Sequence, residues 1–237
     1  MKKHKLVING GHGGAELGAI SSDGSYEKNI NLEVVLHLKE LLKPYSHVLE
    51  PYYTRLIDIE MSLEKRIEYA NKIDASLYVS IHHNSYNKVT HGAETIHSIV
   101  GGEGERFAKL VMEEFMRLGQ SKRRVFSRPS KYNPNKDYYY ELRYTNMPAV
   151  ITEYAFIDGD DYKDIDTSEE RLNEAQAILN AILTFYNIEP IKTVTGLVRD
   201  ECLHDRIEEL EKQVDSNRKT INRIINVLEN NDIKPKR

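Results

Sequence analysis

Four residues of this chain have the types and settings needed for metal-assisted hydrolysis: His12, Glu27, His82 and Glu153. His12 lies in Gly11-His12-Gly13-Gly14, directly after the apolar run Leu6-Val7-Ile8 and Asn9-Gly10. His82, followed by His83 and Asn84, ends the apolar segment Leu77–Ile81; Glu153 ends Ala149-Val150-Ile151-Thr152, and Glu27 stands at the entry of a helical pattern. Three nitrogen or oxygen ligands with an open position for water, plus a separate carboxylate to carry a proton, are what a zinc hydrolase requires. Thiolate chemistry is excluded from such a centre, because Cys202 is the single cysteine. Each residue also has a plainer explanation. His12 among glycines suits a tight turn, and Glu27 in a first helical turn is favoured by the helix dipole. His82 and His83 alternate between faces if the strand persists, so at most one of them faces a given metal. Glu153 is the hardest to explain without chemistry, since a carboxylate closing an apolar strand is rarely buried without a partner. His4, His37, His47, His91, His97 and His204 have no comparable setting and read as surface or structural residues.

What must position the four is an α/β layered domain, a twisted and mostly parallel sheet flanked by helices. Strands are predicted at residues 6–9, 47–54, 77–81, 93–99 and 149–152, and helices at 28–43, 62–73, 104–118 and 168–186. Pro51 cannot donate to a ladder, which places the second strand at an edge or at a bulge. Thr167 and Glu170 have capping-box spacing ahead of the last helix. Open sheets of this kind place their sites at the carboxyl ends of the strands, where all four residues would converge. The stretch Gly119–Pro148, rich in Tyr, Arg, Pro and Asn, is too long for an ordinary connection and has the composition of a functional loop.

The residues also carry a family resemblance. Gly11-His12-Gly13-Gly14, Glu27-Lys28, Thr54-Arg55-x-x-Asp58, Leu63-x-x-Arg66-x-x-x-Ala70-Asn71, Ser80-Ile81-His82-x-Asn84, Leu142-Arg143 and Met147-Pro148-Ala149-Val150-x-x-Glu153-x-x-Phe156-Ile157 occur in order. Together they resemble the zinc-dependent N-acetylmuramoyl-L-alanine amidases over roughly residues 5–188. The resemblance implies one Zn2+ per chain, held by His12, Glu27 and His82, with Glu153 as the catalytic carboxylate. It implies hydrolysis of the amide between N-acetylmuramic acid and L-alanine of the peptidoglycan stem peptide. Asn84, Arg66 and Arg143 match recurring family positions and are read as substrate-binding or bracing residues. For Arg66 the alternative is a pairing with a nearby carboxylate, and for Arg143 with Tyr138-Tyr139-Tyr140 it is a loop pinned by aromatic packing. Three positions depart from the family pattern: Asn9-Gly10 replaces Asp-Pro, His83 replaces a small residue, and Ala155 replaces a glycine.

Beyond a catalytic domain at 1–188 and a linker at 189–200, the chain changes character. Leu203, Ile207, Leu210, Val214, Asn217, Ile221, Ile224 and Leu228 follow a heptad seam, which predicts a coiled-coil oligomerisation helix over 201–230 and a flexible tail over 231–237. A lone amphipathic helix cannot bury its stripe, so a homo-oligomer is expected, with docking onto the catalytic domain as the alternative. The net charge of −4 gives no electrostatic reason to bind nucleic acid or an anionic membrane. No run approaches the length of a membrane span, and the basic start is followed by too few apolar residues for a signal peptide. The expectation is a lytic enzyme of endolysin or autolysin type, made in the cytoplasm and acting on the cell wall after release. Two rival readings are another zinc amidohydrolase or carboxypeptidase acting on a small peptide, and a non-catalytic wall-binding scaffold.

Overall fold

The computed structural model describes residues 2–191; the expected coiled coil and tail lie outside the described residues, as does most of the expected linker. Six strands form one sheet: β1 (His4–Gly10), β2 (Leu49–Tyr53), β3 (Leu77–Asn84), β4 (Ala93–His97), β5 (Lys122–Phe126) and β6 (Ala149–Phe156). Their order is β2-β1-β3-β6-β4-β5, parallel throughout except that β4 runs antiparallel to β6. Five helices accompany them: α1 (Glu27–Leu42), α2 (Leu63–Ile73), α3 (Glu103–Arg117), α4 (Tyr140–Tyr144) and α5 (Ser168–Tyr186). The central strands are apolar without alternation because both faces are covered, as a parallel sheet requires. On one face Leu6, Ile8, Val79, Ile81 and Val150 pack against Ile30, Val34 and Leu38 of α1, Phe107 and Val111 of α3, and Ile178 and Ile182 of α5. On the other, Val7, Tyr78, Ile96 and Ile151 pack with Ala70 of α2 and Leu142 of α4.

Pro51 sits in the edge strand β2, in register with Leu6, as its missing amide demands. The α5 boundaries match the predicted 168–186, and Thr167 and Glu170 close the reciprocal capping box. Other boundaries need correction. The third and sixth strands are longer than predicted, running to Asn84 and Phe156, so His82, His83 and Glu153 lie within strands rather than beyond their ends. Strand β5 and helix α4 fall in the stretch read only as a long loop.

Candidate active site

The register of the sheet assembles the site. His82 of β3 is paired with Glu153 of β6, and Glu153 with Glu94 of β4, so three side chains stand in a row across the same face. His83, one residue on, points to the opposite face. After β1 the chain continues the ladder for one residue, with Gly11 N–H donating to Ile81 O at 3.0 Å. It then turns at His12, whose φ of 61° is left-handed. Only glycine fits at position 11, because a Cβ there would lie 2.1 Å from the His82 imidazole. Glu27 reaches the same point from the first turn of α1.

Glu27 is the hub. His12 Nε2 lies 3.1 Å from its Oε2 and His82 Nδ1 lies 2.9 Å from its Oε1. The Ala19 amide donates to Oε2 at 2.9 Å, and the His83 amide and Asn31 Nδ2 donate to Oε1 at 3.1 and 3.2 Å. Burial alone would push the Glu27 carboxyl up, but the hydrogen bonds and charges of His12 and His82 outweigh it and hold the group well below the ordinary range. Burial opposes protonation of His12, yet Glu27 and Glu16 raise it above the ordinary imidazole value.

Ligand atoms of His12, Glu27 and His82 all lie within 4.8 Å of one another. In a tetrahedral zinc centre with bonds of about 2.0–2.1 Å, neighbouring ligand atoms stand about 3.3 Å apart. His12 and His82 approach different oxygens of Glu27, at 3.1 and 2.9 Å, and an N, O, N donor set gathered within 4.8 Å has the chemistry and the spacing to close on one such ion.

Glu153 is partly buried, with its Oε2 enclosed and without a hydrogen-bond partner. Desolvation, with the nearby charges of Glu27, Glu94 and Glu141, pushes its carboxyl well above the ordinary range. Glu94 carries no such penalty of isolation, since Arg123, Arg124 and Asn84 all donate to it. Asn84 thus touches the carboxylate beside Glu153 rather than the His-Glu-His group.

Two buried arginines hold the turn that presents His12. Arg66 donates to Asn9 Oδ1 at 2.6 Å, to Gly10 O and His12 O at 2.7 Å each, and to Met61 O at 2.8 Å. The expected alternative, a partner carboxylate, is absent from these contacts: Arg66 braces three backbone carbonyls and the Asn9 side-chain amide. Arg55 donates to Gly10 O, Gly11 O and Lys28 O at 2.9, 2.8 and 2.6 Å, and burial, with Arg66 nearby, lowers its guanidinium to about 10. Arg143 is placed differently: it donates to Asp137 O and Tyr138 O, pinning its own loop, and lines a cavity of about 410 Å³ with Ser98 and Ala149.

Sequence reasoning missed Glu141, whose Oε1 accepts from Asn9, Tyr78 and Ser80 beneath the site at 2.9, 2.7 and 2.9 Å. It also missed Asn31, Glu94 and Glu174. Glu174 and Asn31 sit at helical positions with no local signal, while Glu94 could have been read as a charge inside an apolar strand.

Residues 6–184 match the family described as N-acetylmuramoyl-L-alanine amidase. The chain is 31% identical over 185 residues to the uncharacterized protein YqiI of Bacillus subtilis, covering 77% of this chain and 84% of that one. It is 32% identical over 156 residues to the N-acetylmuramoyl-L-alanine amidase CwlM of Bacillus licheniformis, covering 65% of this chain and 57% of that enzyme's length. Its fold is similar to the catalytic domain of CwlV, an N-acetylmuramoyl-L-alanine amidase from Bacillus (Paenibacillus) polymyxa var. colistinus, with a TM-score of 0.70 at 26% identity, covering 78% of this chain and 99% of that domain. With its sheet order, the His12-Glu27-His82 group and the family match over most of its length, this chain belongs to the N-acetylmuramoyl-L-alanine amidase family.

Proposed function

We propose that this chain is a zinc-dependent peptidoglycan hydrolase of the lytic type, with His12, Glu27 and His82 as metal ligands and Glu153 as the proton carrier. The bond cleaved is the amide joining the lactyl group of N-acetylmuramic acid to L-alanine. Zinc, when bound, would supply Lewis acidity toward the carbonyl and make a water acidic near neutral pH. Glu153 takes the proton of the attacking water and hands it to the departing alanine nitrogen, the base-then-acid role. The observation that carries this reading is the position of Glu153: in register beside His82, with one carboxylate oxygen enclosed and unpartnered. Glu174 also has one enclosed, unpartnered oxygen, so it is the place in register beside His82 that singles out Glu153. Arg55 and Arg66 keep the backbone of residues 10–12 in place, so His12 does not have to be ordered when substrate arrives.

The heptad seam over 201–230 supports a homo-oligomer, in which several catalytic domains on one particle would gain avidity for a polymeric wall. The bond assignment is tested by digesting purified peptidoglycan and identifying new amino termini. Release of amino-terminal alanine is expected; a different terminus would favour another zinc amidohydrolase on the same fold.

A further inference from the structure

On the face of β3 away from Glu153, a buried polar chain runs from α5 to the metal-ligand group. Glu174 Oε2 lies 3.0 Å from His83 Nε2, and both side chains are 0% exposed. His83 Nδ1 lies 2.7 Å from Asn31 Oδ1. Asn31 Nδ2 then donates to Glu27 Oε1 at 3.2 Å and to Gly11 O at 3.3 Å. The four links join α5, β3 and α1 to the turn after β1, and a small side chain at position 83 would remove the two that end on His83.

We propose that the Glu174–His83–Asn31 chain is a positioning device for Glu27, setting its carboxylate for the metal; this rests on the zinc reading given above. The donor and acceptor roles fix the direction. An amide oxygen only accepts, so His83 Nδ1 must carry a proton to meet Asn31 Oδ1. Glu174 Oε2 and the other ring nitrogen are joined by one proton lying between them, which leaves Nδ1 as the nitrogen that donates to Asn31. With its oxygen committed to His83, Asn31 presents its NH2 to Glu27 Oε1 instead of its carbonyl, whose lone pairs would repel the carboxylate. Outer-shell partners of this kind typically contribute about 10–100-fold in metal affinity. Gly11 O does not depend on Asn31, because Arg55 also donates to it at 2.8 Å. Asn31 therefore has one consequential partner on that side, the ligand carboxylate.

The test measures zinc affinity by competition with a chromophoric chelator, and thermal unfolding of the metal-free protein, for the full chain and for Asn31→Leu, Asn31→Ser, Glu174→Leu and Glu174→Gln. The first three are expected to bind zinc about 10–100-fold more weakly while folded. Glu174→Gln is expected to stay within about threefold of wild type, because its amide can donate to His83 Nε2 and keep the proton on Nδ1. A merely structural role would lower the unfolding temperature and leave the affinity of the folded protein unchanged. Wild-type binding with unchanged affinity in the folded Asn31 and Glu174→Leu variants, or a Glu174→Gln loss as large as that of Glu174→Leu, overturns the inference alone. No zinc binding by the wild type overturns the metal reading, and the inference with it.

Discussion

Glu153 is held in a state that costs the fold something. Its carboxyl is raised by desolvation and by neighbouring acids, so it binds its proton more tightly in the folded chain than in the unfolded one. Stability from this group is then fully present below the ordinary carboxyl range and is lost as pH rises from that range through the raised folded-state value. In the metal-free protein, Glu153→Gln should therefore be more stable than wild type at neutral pH, because the amide does not ionise, with the gap closing in acid. Urea unfolding at two pH values reads this directly, and equal stabilities at both would remove the premise. The same variant should lose about 10²–10⁴-fold in hydrolysis, the usual contribution of a positioned proton carrier. Gly11→Ala provides a second check, because its Cβ would meet the His82 ring at 2.1 Å. Zinc affinity should fall in a folded protein, and unchanged affinity would contradict the assigned place of His82. At this scale the sequence was informative where chemistry and chain direction coincide: His12, His82 and Glu153 each follow a recognisable apolar run, and Glu27 opens a helix. Asn31, Glu94, Glu141 and Glu174 were not legible, because their meaning comes from partners brought together only by folding, such as Glu174 from 91 residues beyond His83.

Elements were legible where hydrophobic periodicity is long. Helix α5 has its apolar stripe and a capping box, and both of its ends were readable. Strands β3 and β6 were cut short on paper because polarity rises at His82 and Glu153, yet backbone pairing continues regardless of what the side chains are. That extension puts His82 and Glu153 in register, so the polar residues that hide the strand ends are the ones the strands exist to align. Strand β5 was hidden for a different reason: Lys122, Arg123 and Arg124 are exposed on an edge, where charge discourages pairing with another sheet. Thr167→Ala should cost about 0.5–2 kcal/mol by removing the cap of α5, measured by urea unfolding, with hydrolysis per folded molecule unchanged. A loss of hydrolysis without loss of stability would show that Thr167 does more than cap α5.

For the whole molecule, the sheet, its two helical layers and the site at one rim follow from alternating strand and helix patterns together with the family motifs. Among the described residues no helix is long and apolar enough to cross a membrane. The heptad seam at 201–230 predicts that sedimentation of the full chain at micromolar concentration gives an oligomer, and that replacing Ile207, Val214 and Ile221 with lysine gives a monomer. A monomeric full chain would remove the avidity argument without touching the catalytic one. The central claim is metal-assisted hydrolysis by His12, Glu27, His82 and Glu153, and the most direct test follows amino-terminal alanine released from purified Gram-positive cell walls. Wild type should release it, EDTA should stop it, zinc should restore it, and Glu153→Gln should stay inactive with zinc bound. Release that persists after chelation, or full release by Glu153→Gln, would contradict the account.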